Sequence, residues 1–229
     1  METSLHRDLK AIYAGEHART EVRFGRYRID VVDGERLIEI QHSSLSSIRR
    51  KVLELLATHD VHLVKPIIAR KTLVKRRRAG GRVVERRLSP KRGSLIDLFE
   101  ELVYFRSVYP HPRLTIEAIL VEVEEWRRPG HGRRRRWRRN DHIVEDQKLI
   151  AIHEVQHIAT AADLELLLPA PLPAAFDTLV LARQLELPRH IAQRIAYCMR
   201  EMGAIVQTGK RRNSLVYERV EPPRKKRAG

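Results

Sequence analysis

Three oxygen-bearing side chains lie at short intervals in the amino-terminal part of this chain. In the stretch RIDVVDGERLIEIQHSS, Asp30 is followed after eight residues by Glu39, and Gln41 lies two residues further on. The intervening Asp33-Gly34 pair is typical of a tight turn between two strands. Alternation along a strand puts Glu39 and Gln41 on one face, and an antiparallel partner can bring Asp30 alongside them. Two carboxylates and an amide are suitable ligands for Mg²⁺ or Mn²⁺.

This donor set suggests hydrolysis of a phosphodiester. That reaction needs a cation that neutralises the phosphate and lowers the pKa of the attacking water, and a polar group that orients the water. The backbone carbonyl of Ile40 is a further candidate ligand. The alternative is that these charges near a turn are simply solvated. Glu39, however, lies between Ile38 and Ile40 in what should be an inner strand, where an uncompensated carboxylate costs several kcal/mol, and a bound cation is one compensation.

The order of elements resembles the PD-(D/E)XK nuclease superfamily over about residues 4–67. A helix is followed by strands that carry Asp30 and E-x-Q, then by a second helix and a strand. The segment EIQHS at 39–43 is most similar to variants that have E-x-Q in place of E-x-K, including competence-protein CoiA-like nucleases. The resemblance implies that Asp30 and Glu39 bind the metal, that Gln41 is the third signature residue, and that the protein cleaves DNA.

The missing lysine is a departure from the family pattern, because an amide carries no positive charge. Either Lys51, Lys65 or a basic residue of SPKRG at 89–93 takes its place, or the activity is weak. Some members of the superfamily add a helix-borne carboxylate, for which Glu16 or Glu21 is the candidate here.

Hydrophobic periodicity predicts the elements that position these residues. Ser4 can cap a first helix whose apolar stripe is Leu5, Leu9, Ile12 and Tyr13, ended by Gly15. After it we expect strands at 22–24, 26–32 and 36–42, a helix at 43–59 with serine caps, and a buried strand at 61–67.

The middle of the chain is strongly basic. Residues 70–92 predict a long hairpin or a flexible arm, and Lys91 and Arg92 are candidate DNA contacts. We expect a helix at 94–108 and two strands, 114–126 and 142–158, around an arginine-rich loop. That loop either contacts phosphates while Trp126 or Trp137 stacks on a base, or is a solvated basic loop.

The carboxyl-terminal part resembles a winged helix-turn-helix. AADLELLLP supplies a first helix, helices follow at 176–185 and 189–202, and two strands enclose a basic turn at 209–213. By this resemblance one helix enters a DNA groove and the turn contacts phosphate, although winged helices also dock proteins. The candidate DNA contacts are Arg189, Gln193, Arg194, Lys210, Arg211 and Arg212.

The segment HEVQH at 153–157 matches a zinc-protease pattern that requires both histidines on one face of a helix. KLIAIHEVQHI alternates equally well as a strand, which would separate His153 from His157. Asp163 is at a possible third-ligand spacing, so a zinc site remains a remote alternative.

Composition favours a nucleic-acid partner. The chain has 229 residues, with 45 Lys and Arg against 29 Asp and Glu and a net charge of +16. The single cysteine, Cys198, excludes an internal disulfide and favours a reducing cytoplasm, with nucleoid association through DNA. We expect no membrane segment and no signal peptide. Other DNA-processing proteins are further candidate partners, and the PPRKKRAG tail at 222–229 adds basic charge.

The sequence therefore predicts an α/β (α+β) fold, a mixed sheet flanked by helices with a restriction-endonuclease-like core, followed by a winged helix. The predicted boundaries are a nuclease-like core at 1–110, a hairpin extension at 111–159, a winged-helix domain at 160–221 and the tail. The predicted function is a Mg²⁺-dependent or Mn²⁺-dependent DNA nuclease. The alternative is a non-catalytic DNA-binding or adaptor protein with a degenerate nuclease fold.

Overall fold

A computed structural model describes residues 2–130 and 141–220 of the chain. The fold is mixed α/β and contains a seven-stranded mixed sheet and a separate three-stranded sheet. The arginine-rich stretch at 131–140, with Trp137, and the basic tail at 222–229 lie outside the described residues.

The first helix, α1 (Ser4–Tyr13), begins at Ser4, and its cap is one residue earlier than predicted. The hydroxyl of Thr3, rather than that of Ser4, accepts from the backbone N–H of His6. Ser4 instead donates to Asp146 at 2.6 Å through its hydroxyl. Leu5 and Leu9 are buried as predicted, whereas Ile12 is 56% exposed, so the apolar stripe is narrower than the sequence suggested.

Three antiparallel strands follow: β1 (Arg19–Phe24), β2 (Tyr27–Asp33) and β3 (Arg36–Ile40). The predicted hairpin around Asp33-Gly34 is confirmed, with Val32 opposite Leu37 and Gly34 in the left-handed region. A side chain other than glycine is strained in that conformation, which explains the choice of residue.

The parallel neighbour of β3 follows a crossover connection that contains a helix. A short 3-10 helix (Leu45–Ile48) leads into α2 (Arg49–Leu56), which is shorter than the predicted helix at 43–59. Then β4 (Asp60–Arg76) pairs in parallel with β3, and Ile40 lies opposite Val64. Parallel pairing requires such a crossover, since a tight turn can only join antiparallel strands.

The basic segment at 70–92 continues the sheet. Strand β4 runs through it to Arg76, and β5 (Val83–Leu88) returns antiparallel to β4. Of the two predicted alternatives, the structure has the long hairpin, because the backbone groups of this segment are paired in a ladder.

Two long strands complete the seven-stranded sheet, β6 (Leu114–Pro129) and β7 (His142–Ile158). The strand order is β1-β2-β3-β4-β6-β7, with β5 also on β4. Residues 111–159 thus extend the sheet that β1 to β4 begin. One hydrophobic cluster joins α1 to β2, β3, β4 and β6, through Leu5, Leu9, Val31, Ile38, Ile40, Val64, Ile119, Val121 and Val123.

The remaining helices are mostly shorter than predicted. A 3-10 turn (Leu95–Asp97) and α3 (Leu98–Leu102) occupy part of the helix expected at 94–108. A 3-10 helix (Ala161–Leu167) begins at Thr160, whose side chain and that of Asp163 form a reciprocal capping box. That box satisfies two backbone N–H groups at the helix start.

The carboxyl-terminal elements are β8 (Ala175–Phe176), α4 (Thr178–Gln184), α5 (Arg189–Glu201), β9 (Ile205–Arg211) and β10 (Ser214–Arg219). The strand order of their sheet is β8-β10-β9. The helix predicted at 189–202 is confirmed as α5 to within one residue, and Gly203, which follows its C-cap Met202, has a positive φ. The predicted turn at 209–213 is tighter, because β9 extends to Arg211.

Over the described residues the chain divides into two compact units, each made of three segments. Unit 1 comprises Met1–His42, His59–Leu95 and Glu117–Val155, and unit 2 comprises Ser43–Thr58, Ile96–Ile116 and Gln156–Gly229. The domains predicted from the sequence are each contiguous along the chain. Among the residues described, no helix has the length and apolar character that crossing a membrane requires.

Candidate functional site

The carboxylate of Asp30 lies against the E-x-Q segment in unit 1. Beyond the last register pair of β2 and β3, Val31 opposite Ile38, Oδ2 of Asp30 accepts a hydrogen bond from the backbone N–H of Ile40 at 2.8 Å. Ile40 is the residue between Glu39 and Gln41. The structure therefore brings Asp30 to the segment that carries the other two predicted site residues.

Alternation along β3 separates the apolar and polar side chains of this segment. Ile38 and Ile40 belong to the hydrophobic cluster with α1. Glu39 has the opposite orientation and is 5% exposed, with Leu63 of β4 as its register partner. A buried carboxylate needs compensating charge or hydrogen bonds, so Glu39 occupies a position that a solvated surface glutamate does not.

A lysine on the adjacent parallel strand lies close to the end of β3. The backbone N–H of Gln41 donates to the carbonyl of Val64 at 2.9 Å, and Lys65 follows directly. Lys65 is 5% exposed, and its Nζ donates to the carbonyl of His42 at 3.2 Å. Of the proposed substitutes for the missing lysine, Lys65 is thus a buried cation beside the E-x-Q segment.

His6 of α1 is a member of this site that sequence reasoning missed. Its Nε2 lies 3.1 Å from Oδ1 of Asp30, and this hydrogen bond, followed by the charge of Asp30, raises the pKa of His6. One feature of the sequence could have identified His6: it follows Leu5, which lies on the apolar face of the predicted helix. The two carboxylates predicted for this role lie elsewhere: Glu16 is in the turn after α1, and Glu21 is on β1 in an ion pair with Lys10.

A second histidine borders the site. Burial, followed by the positive charges of Lys65 and Lys71, lowers the pKa of His42. At neutral pH this imidazole is therefore held in its uncharged form. Neighbouring lysines that disfavour a protonated histidine equally favour a bound anion.

The donor set at this site is compatible with Mg²⁺ or Mn²⁺. Asp30 and Glu39 offer carboxylate oxygens, and hard divalent cations prefer oxygen ligands. Because Oδ1 of Asp30 contacts His6 and Oδ2 contacts the N–H of Ile40, a cation would have to share Asp30 with these groups or displace His6.

The candidate DNA contacts outside this site are mostly exposed. Lys91 and Arg92 follow β5 in unit 1, and Lys91 N–H donates to the hydroxyl of Ser89 at 3.3 Å. In unit 2 the side chains at the start of α5 and in the β9–β10 hairpin point to solvent; these are Arg189, Gln193, Lys210, Arg211 and Arg212.

Two observations refine this surface of unit 2. Arg194 is half-buried and pairs with Glu100 of α3, so its guanidinium is already engaged. The N–H groups of Val180 and Leu179 lower the pKa of Asp177, and the charges of Arg211 and Arg189 contribute. The charges of Arg189 and Arg211 therefore both act on the Asp177 carboxylate.

The histidine motif at 153–157 lies on strand β7, as its alternation predicted. His153 interacts with Glu122 at 3.3 Å. The pair His153 and His157 therefore lacks the helical spacing that a zinc protease needs. The ring of Trp126 already contacts two cations. The guanidinium of Arg76 lies 4.1 Å from its ring centroid, and Nζ of Lys148 lies 5.0 Å from it.

These features define a mixed α/β chain in which Asp30 contacts the strand that carries Glu39, with exposed cations in both units. The chain belongs to the family described as Domain of unknown function (DUF8091), whose model matches residues 3–159. It is also similar to a protein of Treponema pallidum (strain Nichols) described as an uncharacterized protein. The two are 28% identical over 224 residues, which cover 97% of this chain and 86% of that protein. No solved structure matches the chain.

Proposed function

We propose that this protein is a metal-dependent nuclease that hydrolyses phosphodiester bonds in DNA. The observation that carries the proposal is the hydrogen bond from Ile40 N–H to Asp30, which joins Asp30 to the strand segment that bears Glu39 and Gln41. In a surface hairpin with no chemical role, Glu39 would be solvated, whereas it is buried.

The topology around this contact supports the proposal. The elements α1, β1, β2, β3, α2 and β4 follow one another, and β1 to β4 are neighbours in that order. Only the β3–β4 pair among them is parallel, and the crossover between these strands contains α2. This order is similar to the core of the PD-(D/E)XK nucleases that the E-x-Q motif resembles.

In the proposed mechanism, Asp30 and Glu39 would hold the cation and Gln41 would orient water or phosphate. When bound, the divalent cation would neutralise the scissile phosphate and lower the pKa of the attacking water. Lys65 supplies a positive charge next to the E-x-Q segment. Where the cation shares Asp30 without displacing His6, the imidazole would keep that carboxylate in place, and its protonated form, which Asp30 favours, would donate a proton to the leaving oxygen.

DNA is the proposed substrate because the chain carries a net charge of +16 and exposed cations in both units. In unit 2, a 3-10 helix, β8, α4, α5, β9 and β10 follow in the order of a winged helix, and the sheet order β8-β10-β9 fits that fold. Arg189, Gln193 and the hairpin cations are then proposed contacts. A cytoplasmic, nucleoid-associated location and contact with other DNA-processing proteins are corollaries of this proposal.

The test is incubation of the purified full chain with supercoiled plasmid, single-stranded DNA and branched DNA. Mg²⁺, Mn²⁺ and EDTA are compared, and Glu39→Gln is compared with Glu35→Gln. Glu35 is an exposed residue of the same hairpin and serves as a matched control. We expect cleavage with a metal, none with EDTA, and at least about 100-fold slower cleavage by Glu39→Gln alone, because even residues that only support metal ligands contribute 10- to 100-fold. Cleavage that survives Glu39→Gln would refute this site.

A non-catalytic DNA-binding or adaptor protein is the second candidate. It is favoured by the engagement of both Asp30 oxygens within the chain and by the neutral Gln41 in place of a lysine. This candidate predicts salt-sensitive DNA binding without cleavage of any of the three substrates at either metal. Binding by itself cannot separate the two functions, so the cleavage assay decides between them.

A further inference from the structure

A second charged feature of unit 1 is independent of the carboxylate pair. A cleft of about 320 Å³ is lined by the β4–β5 hairpin and by residues at the ends of β6 and β7. One carboxylate, Asp141, faces six cationic side chains in its lining: Lys75, Arg76, Arg77, Arg87, Arg127 and Arg128. Such an imbalance attracts anions.

The glutamates beside the cleft are each shared between two cations. Glu85 pairs with Lys75 at 2.5 Å and with Arg87 at 3.0 Å. Glu145 pairs in the same way with Arg128 at 3.1 Å and with Arg76 at 3.9 Å.

The third shared glutamate, Glu125, is 3% exposed and pairs with Lys71 at 2.8 Å and with Arg127. Each trio of two cations and one glutamate retains one net positive charge. The glutamates therefore hold the cations in place without neutralising them, which reduces the ordering cost of binding an anion. Arg77 adds a further charge, since no acidic partner for it occurs among residues 2–130 and 141–220.

From this arrangement we infer that the cleft binds the phosphate groups of a nucleic-acid backbone. Guanidinium groups match phosphate oxygens with paired hydrogen bonds, and cations spread along two strands match the repeated charges of a polymer. Among the described residues at this end of the sheet, Trp126 is not available to stack on a base, because Arg76 already covers its ring. Recognition therefore depends on the backbone and not on the base sequence.

The cleft is connected to the candidate cleavage site by a single strand. Lys65 and Lys75 both lie on β4, ten residues apart. At about 3.3 Å per residue, at most about 33 Å of strand separate them, about one turn of duplex DNA. Duplexes that exceed one turn can therefore contact both the cleft and the candidate cleavage site and should bind more tightly than shorter ones. The binding role of the cleft does not require that the chain cleaves DNA.

The test measures binding in EDTA, so that cleavage does not interfere. Fluorescence anisotropy is recorded with an 8-base-pair duplex, a 20-base-pair duplex and a 20-nucleotide single strand over a range of salt. The variant is Lys75→Gln, Arg77→Gln and Arg87→Gln, whose side chains are exposed. The control is Arg19→Gln, Arg23→Gln and Arg26→Gln, which removes the same charge at β1 and its turn. Vesicles of phosphatidylcholine with phosphatidylserine are a second ligand, and thermal melts check folding.

We expect the cleft variant to bind the 20-base-pair duplex at least about 10-fold more weakly at 100 mM salt, with a salt slope lower by about 2 to 3. The control should stay within about twofold. The inference would be overturned if both variants lost DNA affinity equally, or if neither lost any. It would also be overturned if the cleft variant lost binding to the vesicles but kept its binding to DNA. If the triple variant melts early, Arg77→Gln alone must still lower the slope by about 1. Loss of binding without any cleavage by the wild type would sustain this inference while the nuclease proposal fails.

Discussion

The N–H of Ile40 donates to Oδ2 of Asp30 at 2.8 Å, across ten residues of chain. This contact connects the end of the β2–β3 ladder to the segment between Glu39 and Gln41. Asp30 can therefore have two functions, a hydrogen bond to the backbone and binding of a cation. They can be separated, because the hydrogen bond needs only an acceptor oxygen, whereas the cation needs the negative charge.

Asp30→Asn tests this separation. The amide oxygen of asparagine can still accept from Ile40, but the charge that attracts a cation is lost. We expect cleavage to fall at least about 100-fold, while the melting temperature changes little. Asp30→Ala should lower both the cleavage rate and the melting temperature, since it also leaves the N–H of Ile40 without this acceptor. Asp30→Asn with full activity would contradict a role in metal binding.

Lys65 and Gln41 allow a test by exchange. If Lys65 replaces the signature lysine, Lys65→Met should abolish cleavage while the chain still folds, because methionine fills a similar volume. Adding Gln41→Lys to Lys65→Met should restore part of the activity, since it returns the charge to the family position. Initial rates on plasmid DNA provide the measurement. Unchanged cleavage by Lys65→Met would remove Lys65 from the mechanism. A double variant as inactive as the single one would show that a charge at position 41 does not replace that of Lys65.

Asp163 stabilises the start of a helix in unit 2 in a pH-dependent way. Its carboxylate accepts from the N–H groups of Ala159 at 2.9 Å and Thr160 at 2.7 Å. Burial opposes its ionisation, but these donors hold the pKa of Asp163 below its ordinary value. Because the folded pKa is the lower one, the stabilisation is present above the unfolded pKa of about 3.9 and is lost as the pH falls through the folded value.

Asp163→Ala should therefore lower the free energy of unfolding by about 1 kcal/mol at pH 7. The difference from the wild type should shrink below about pH 4. Urea unfolding at pH 7 and pH 3 measures both values, and Asp8→Ala, at an exposed position of α1, is the control for loss of one charge. A difference that is constant with pH would mean that the carboxylate is not the source.

The β9–β10 hairpin and α5 should differ in their response to DNA. Lys210→Gln with Arg211→Gln removes two exposed cations, and we expect weaker DNA binding with a salt slope lower by about 2. Arg194→Gln should have a smaller effect, because this guanidinium is already paired with Glu100. Anisotropy titrations over a range of salt measure both. An equally large effect of Arg194→Gln would require its pair with Glu100 to open on binding.

Cys198 should be unreactive in the folded protein. It is buried, and this burial raises the pKa of the thiol to about 12, so almost no thiolate is present at neutral pH. We expect negligible reaction with a thiol reagent at pH 8 and stoichiometric reaction after addition of denaturant. Fast labelling of the native chain would show that α5 opens easily around this residue.

Local patterns predicted the hairpin of β2 and β3, the strand at 153–157 and the end of α5 correctly. They were less accurate where an element depends on its neighbours. The strand expected at 61–67 extends from Asp60 to Arg76, because β4 pairs with β3, β5 and β6 along its length. The predicted cap Ser4 was wrong because Thr3 caps α1 and Ser4 binds Asp146, which lies 142 residues away in sequence.

The sequence by itself determined that a tight turn at Asp33-Gly34 joins the strand of Asp30 to the strand of Glu39, since this follows from local backbone preference. Only the tertiary structure placed His6 against Asp30, Lys65 beside the E-x-Q segment, and Arg194 against Glu100. These contacts join segments that are distant in sequence, and shared burial of apolar surface selects them. No periodicity within a single segment contains that information.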